Sequence, residues 1–318
     1  MTKMTKVTPQ TSASLPRLLL PLFLFVLLLA SGTTGAGAAD RMERADYKGP
    51  YVTLNSGYIM PMLGLGTWTL SDKEAEQSVY AAIEEGYRLI DTARYYGNEE
   101  GVGAGVRRAI AEGIVTREEI FVTSKIMPSD YNAPDSAIDA SNADLGLGYI
   151  DLMLIHQPGR NDKEVYQALE RGVKAGKIRS IGLSNYYTPE AFDAIARNAE
   201  IVPAVVQNEN HPCHQNLALQ EHLKQYNTVL ESWYPLGGRS HVQELLRDAA
   251  IRAIAESHDK TPAQVILRWH IQAGFVAIPG SGNVQHIAEN IAIFDFKLSD
   301  REMQIMEELN KNKRYENW

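Results

Sequence analysis

The sequence predicts an α/β fold of one kind, a (β/α)8 TIM barrel. Three observations predict it. From residue 51 onward, short apolar runs recur eight times, with a helical stretch between each pair. The runs are apolar throughout instead of alternating, which is the pattern of strands covered on both faces, and such strands belong to parallel sheets. Eight parallel strands close into a barrel within about 250 residues, and the stretch from Tyr51 to Trp318 has that scale.

The elements follow in order. Residues 1–17 carry three cations and no anion, and Leu18–Ala30 is almost wholly Leu, Phe and Val. That run is too short for a membrane span, which needs about 20 residues, and suits the apolar part of an export signal. Ala36, Gly37 and Ala38 then supply a small-residue cleavage site, with cleavage after Ala38 or Ala39. Residues 1–39 are therefore expected to be a signal peptide, 40–50 a linker and 51–318 the barrel. Export to the periplasm or outside the cell is the expectation; a cytoplasmic protein is the alternative if translation starts downstream, near Met42.

Val52–Leu54 and Tyr58–Met60 flank Asn55-Ser56-Gly57, a hairpin signal. The eight strands are expected at Met62–Leu65, Tyr87–Ile90, Ile120–Thr123, Leu152–Ile155, Ile178–Gly182, Ala204–Val206, Val229–Ser232 and Val276–Ile278. Helix starts are marked by the pairs Ser71/Glu74, Thr116/Glu119, Thr261/Gln264 and Ser299/Glu302, each a capping-box pattern. Thr188-Pro189 and Thr261-Pro262 put proline at a first helical position. A last helix, Asp300–Lys311, lies beyond the barrel count.

Composition narrows the function. A net charge of −8 leaves no basic footprint for nucleic acid. The single Cys213 allows no internal disulfide, and His211-Pro-Cys-His214 lacks the further ligands of a closed metal set, so no metal is expected. A monomer without a membrane segment after cleavage is expected.

In such a barrel the active site lies where the strands end. Strand 2 ends in Asp91, with Tyr96 five residues on. Strand 3 ends in Ser124-Lys125, strand 4 in His156, strand 5 in Ser184-Asn185, strand 6 in Gln207 and strand 7 in Trp233; strand 8 runs into Pro279-Gly280-Ser281-Gly282. A buried Asp needs a cation, and Lys125 on the neighbouring strand supplies one. A cation beside Tyr96 is expected to lower its phenol pKa. His156 can orient a carbonyl oxygen. The set reads as acid catalysis of carbonyl reduction, with Tyr96 as proton donor and a cofactor bringing the hydride, which no side chain can supply. No Gly-x-Gly-x-x-Gly follows a strand. Gly101, Gly103 and Gly105 fall inside a helix and are expected to serve close packing. Asn98, Glu99 and Glu100 read as ordinary helix-start residues.

At this point the chain resembles the aldo-keto reductase family from about Tyr51 to its end. The resemblance rests on Gly64-Leu-Gly-Thr-Trp68, Asp91 through Glu100, Phe121-Val-Thr-Ser-Lys125, Asp151 through Pro158, Ile181-Gly-Leu-Ser-Asn185, Leu267-Arg-Trp-His270 and Phe294 through Ser299. It implies a TIM barrel, NADP(H), and a catalytic tetrad that falls on Asp91, Tyr96, Lys125 and His156. It also implies that Ser184, Asn185 and Gln207 hold the carboxamide, that Trp233 stacks on the nicotinamide where Tyr is common, and that Leu236, Gly237 and Gly238 follow the pyrophosphate. Ser281 and His286 then fall in the phosphate-binding segment, and Glu289 and Asn290 at the adenine end. Trp68 and Gln157 are placed in the substrate pocket.

Departures from the family pattern carry weight. Gly280 and His286 stand where cations commonly hold the 2′-phosphate of NADP, so NAD(H) or dual use is open, with Arg239 or Lys297 as substitute cations. Gln157 replaces a common Trp and makes the pocket more polar. The short tail is similar to that of short bacterial reductases of sugars and keto acids, of the 2,5-diketogluconate type, so a small carbonyl substrate is expected. A non-catalytic nucleotide-binding or regulatory barrel is the alternative, and Tyr96→Phe separates the two.

Overall fold

A computed structural model of the chain describes residues 46–316. The expected leader, 1–39, and the first part of the linker lie outside these residues.

The chain opens with the predicted hairpin, β1 (Tyr51–Thr53) and β2 (Ile59–Pro61), which pair antiparallel. Its turn reaches under the barrel: the Ser56 and Ser180 hydroxyls lie 2.8 Å apart and Asn55 Nδ2 donates to the Pro203 carbonyl. Eight parallel strands follow in chain order: β3 (Leu65–Gly66), β4 (Leu89–Asp91), β5 (Phe121–Ile126), β6 (Ile150–Ile155), β7 (Ile178–Ser184), β8 (Val205–Glu209), β9 (Val229–Trp233) and β10 (Val276–Ala277). The sheet closes on itself. Gly64 N–H donates to the Ala277 carbonyl and Ala277 N–H to the Met62 carbonyl, so the first strand pairs with the last. Closure leaves no edge with unpaired backbone groups.

Each apolar run of the sequence is thus a barrel strand, shifted by one to three residues. β5 and β8 run further than expected, which places Lys125 and Gln207 within strands. Apart from the exposed face of a few loops, both sides of these strands are buried, which is why they read as continuous apolar runs.

The helices wrap the outside: α1 (Asp72–Glu84), α2 (Glu99–Ala111), α3 (Pro134–Leu145), α4 (Asp162–Lys174), α5 (Pro189–Ala196), α6 (Leu217–Leu223), α7 (Gly238–Leu246), α8 (Ala249–Ser257), α9 (Pro262–Gln272), α10 (Val284–Ile291) and α11 (Asp300–Glu308). All four predicted capping boxes form, one of them on a single 3-10 turn at Arg117–Glu119. The three helix glycines do serve close packing. A Cβ on Gly103 stands 1.9 Å from the Leu145 carbonyl oxygen, and one on Gly101 stands 2.0 Å from that of Asp72.

After α11 the tail returns to the top of the barrel. The Tyr315 ring lies between two imidazoles, His211 at 4.3 Å and His241 of α7 at 3.9 Å, both stacked. The N–H groups of Tyr315 and Glu316 donate to the Glu209 carboxylate at the end of β8. His211 is bound into the same group, with Nε2 3.0 Å from Glu209 Oε1.

Candidate active site

A cleft of about 280 Å³ opens at the C-terminal ends of the strands. Of the residues singled out in the sequence, it is lined by Asp91, Tyr96, His156, Gln157, Ser184, Asn185, Gln207, Trp233, Leu236, Gly238, Ser281 and Trp68. Lys125 lies just beneath, fully buried. His286, Glu289 and Asn290 stand on α10, away from the cleft lining; Glu289 accepts from the Thr261 hydroxyl at the start of α9. Of the two substitute cations, Arg239 lines the cleft and Lys297 does not.

The local chain path explains the placement of Tyr96. After β4 a 3-10 turn covers Arg94–Tyr96, and Gly97 ends it at φ 67°, a conformation that favours glycine. The turn brings the Tyr96 hydroxyl back over the strand end, 3.2 Å from Lys125 Nζ. Lys125 Nζ also donates to Asp91 Oδ1 at 2.7 Å and to the Thr92 carbonyl at 2.8 Å. Three ammonium hydrogens therefore meet three acceptors. Burial alone depresses the Lys125 ammonium, but Asp91 and Tyr96 more than offset this and hold it above its ordinary value. Burial pushes the Asp91 carboxyl up, while Lys125 and Gln207 pull it back.

Tyr96 corrects a sequence expectation. Lys125 does pull its phenol pKa down, yet burial and the nearby Asp91 outweigh that pull, and the net value rises to about 12. The resting group is a neutral phenol, a donor with its proton in place. Placement on the neighbouring strand gives the sign of the Lys125 contribution and not the size of the desolvation against it.

His156 stands edge-on to Tyr96, with ring centroids 5.6 Å apart. Burial, aided by Lys125, depresses its pKa to about 2, so the imidazole is neutral. Its carbonyl is tied to Asn185 Nδ2 at 2.9 Å, and Asn185 holds a left-handed φ of 66°. Asn185 Oδ1 accepts from Tyr187, so both ends of that amide are engaged.

Asn98 and Glu99 need a second correction. They sit at the start of α2 as predicted, yet both are buried. Asn98 Nδ2 donates to the carbonyls of Thr67 and Leu70, and its oxygen accepts from Thr92, so it ties the β3 loop to the β4 end. Glu99 accepts from Ser124 and Ser141. Only Glu100 is an exposed first-turn acid.

Sequence reading missed Glu231, a fully buried carboxyl on β9, because it lies inside a run taken as apolar. It also passed over Tyr95, Tyr234 and Thr69, all in the cleft lining. Thr69 is held by Arg239, whose Nη2 donates to its hydroxyl at 2.5 Å. A left-handed non-glycine residue, Thr69 at φ 71°, has no signal in composition.

The model of the Aldo/keto reductase family matches residues 62–311. A protein of Bacillus subtilis (strain 168) described as glyoxal reductase is 43% identical over 267 residues, 83% of this chain and 94% of its own length. An NAD(P)H-dependent D-xylose reductase of Candida tropicalis is 36% identical over 306 residues, covering 84% of this chain and 94% of its own. Among solved structures, a Bombyx mori aldo-keto reductase in complex with NADP superposes with a TM-score of 0.79 at 35% identity, over 85% of this chain and 95% of its own. The chain belongs to the aldo/keto reductase family and is an NAD(P)H-dependent enzyme that reduces carbonyl compounds.

Proposed function

We propose that this enzyme reduces a small polar aldehyde or ketone, of the sugar or keto-acid kind, with Tyr96 as the proton donor. The observation that carries the assignment is the contact of the neutral Tyr96 phenol with the buried Lys125–Asp91 pair at the floor of the cleft. A bound nicotinamide would supply the hydride, which no side chain here can. Tyr96 gives its proton to the carbonyl oxygen as the carbon is reduced. Lys125, 3.2 Å away, stabilises the phenolate left behind, and Asp91 holds Lys125 in place. The neutral His156 ring offers an N–H that can orient the carbonyl oxygen without a charge of its own.

The wall of the cleft suits a flat ring bearing a carboxamide. Trp233 offers an aromatic face, and its indole nitrogen is buried without a partner. Ser184 offers a hydroxyl, and Gln207 offers its carbonyl oxygen. Gly238 and Gly280 leave room along the rim, and Arg239 is a cation within reach of a phosphate there. These residues fit the cofactor, and Arg239 is assigned its phosphates in place of the cations absent at Gly280 and His286. Gln157 beside His156 favours a polar substrate, in keeping with relatives described as reductases of glyoxal and xylose.

The test is NADPH- and NADH-linked turnover of a panel holding glyoxal, xylose, keto acids and aromatic aldehydes. Tyr96→Phe should lower turnover by about 10²–10⁴, the usual contribution of a general acid. Turnover that survives Tyr96→Phe refutes the assignment. Aromatic aldehydes preferred throughout the panel refute the substrate class. The apolar leader supports an exported enzyme; fractionation with N-terminal sequencing checks this, and an intact residue 1 in the cytoplasm refutes it.

A further inference from the structure

Gln207 sits between two carboxylates. Its Nε2 is 2.8 Å from Asp91 Oδ2 and 2.9 Å from Glu231 Oε2. Both neighbours accept here, so both amide hydrogens are taken and the amide cannot turn over without losing two bonds. Gln207 can therefore show the cleft only its oxygen. Glu231 is the paired neighbour of Gln207 across the β8–β9 ladder, and it is fully buried. Its second oxygen, Oε1, has no partner among the described residues.

This carboxyl is surplus to the ion pair. Asp91 and Lys125 already balance, so an ionised Glu231 leaves a net negative charge at a fully buried position, which is costly. Burial and the Asp91 charge push its pKa up to about 8, against the pull of Gln207 and Lys125. The charged groups facing it are Asp91 from β4 and Lys125 from β5. Gln207 from β8 is neutral, and Val276, its partner on β10, is apolar. In the cleft above, burial holds the His156 pKa well below and the Tyr96 pKa well above the range of Glu231.

We propose that Glu231 is a positioning residue: it fixes the Gln207 oxygen toward the cofactor's carboxamide, and it releases a proton when a positively charged ring enters the cleft. The proposal rests on the nicotinamide site described above. The step is acid–base only. The Glu231 O–H bond breaks, the proton passes to solvent, and the carboxylate left behind balances the positive ring of the oxidised cofactor. The reduced cofactor has a neutral ring and draws no proton out. Affinity for the oxidised form therefore rises with pH from 7 to 9, relative to the reduced form. The 2′-phosphate is common to both forms and cancels in the ratio.

The test measures dissociation constants of NADP+ and NADPH by quenching of intrinsic fluorescence, from pH 6.5 to 9.0. NAD+ and NADH serve as the pair if they quench more strongly. Glu231→Gln keeps an oxygen for Gln207 to bind but cannot ionise. Glu231→Leu removes the acceptor altogether. In the unsubstituted protein the NADP+ to NADPH affinity ratio should rise by roughly threefold or more across this range, as linkage requires. In Glu231→Gln it should be flat, with NADPH binding within about twofold of the unsubstituted protein. Glu231→Leu should bind both forms roughly fivefold more weakly at every pH, as Gln207 gains freedom to turn. A flat ratio in the unsubstituted protein, or the same slope in Glu231→Gln, overturns the role of Glu231 alone. Absence of quenching by any of the four cofactors overturns the cofactor site itself. If Glu231→Leu does not fold, the Glu231→Gln comparison decides.

Discussion

Replacing Lys125 by Met separates what the ion pair does for folding from what it does for chemistry. Methionine keeps the length of the side chain and removes all three donors. Asp91 loses its 2.7 Å partner while both side chains are at most 3% exposed, so bulk solvent does not take the place of the ammonium. Asp91 is then left with the Gln207 amide and with Glu231 on the far side of that amide. Breaking one half of a buried pair costs roughly 3–5 kcal/mol. At roughly 2–4 °C per kcal/mol for a chain of this size, the melting midpoint should fall by about 6–20 °C. Asp91→Asn in the same chain removes the stranded charge, and the double variant should regain about 2 kcal/mol over Lys125→Met. Turnover should follow a different course. Tyr96 has lost its cation in both variants, and both should lose about 10²-fold or more in kcat. The assay is thermal melting beside steady-state NADPH oxidation, read for the unsubstituted protein, Lys125→Met and the double variant. The reasoning fails if Lys125→Met melts within about 2 °C of the unsubstituted protein. It fails equally if the double variant is less stable than Lys125→Met, or if its turnover returns.

Two further outcomes test the packing and the acid response. His270 is fully buried with a pKa depressed to about 3, chiefly by burial, and its ring lies between Ser232 and the Pro235 carbonyl. The unfolded chain takes up this proton below about 6.5 and the folded chain does not. Stability is therefore complete above that pH and lost as pH falls toward 3, and His270→Gln should remove about 1.4 kcal/mol per pH unit from the slope in that window. Urea unfolding at pH 7, 6 and 5 measures it, and an unchanged slope refutes it. Gly103→Ala drives a Cβ into the Leu145 carbonyl where α2 meets α3, and should cost about 3 kcal/mol in urea unfolding, against less than about 0.5 if the helices can part freely.

Much of this was legible because barrel strands are buried on both faces, so each left an apolar run bounded by polar residues. The order of those runs alone places Asp91, Lys125, His156 and Gln207 on one rim. Capping boxes were legible for a related reason: the donor and acceptor sit three residues apart in the chain. What stayed hidden depends on partners distant in sequence. Glu231 disappeared into Val229–Ser232 because an average over four residues conceals one acid. Asn98 and Glu99 look like any helix start until Thr67, Thr92, Ser124 and Ser141 are brought to them. The Tyr96 phenol had the wrong expected sign because burial is a property of the whole fold, and no neighbour in the sequence announces it.

The tail segment that carries Tyr315 has a practical use. Lys313 and Arg314 immediately precede a ring clamped between His211 and His241, and Arg314 itself lies 3.7 Å over the Tyr187 ring. His241 belongs to α7, whose first turn forms the cleft rim at Gly238 and Arg239. Lys313 is exposed and Arg314 is half-buried over Tyr187, so a protease that cuts after basic residues should cut more slowly after Arg314 than after Lys313. The speed of the cut after Arg314, with and without cofactor, therefore reports whether a ligand at the rim tightens the packing of the tail.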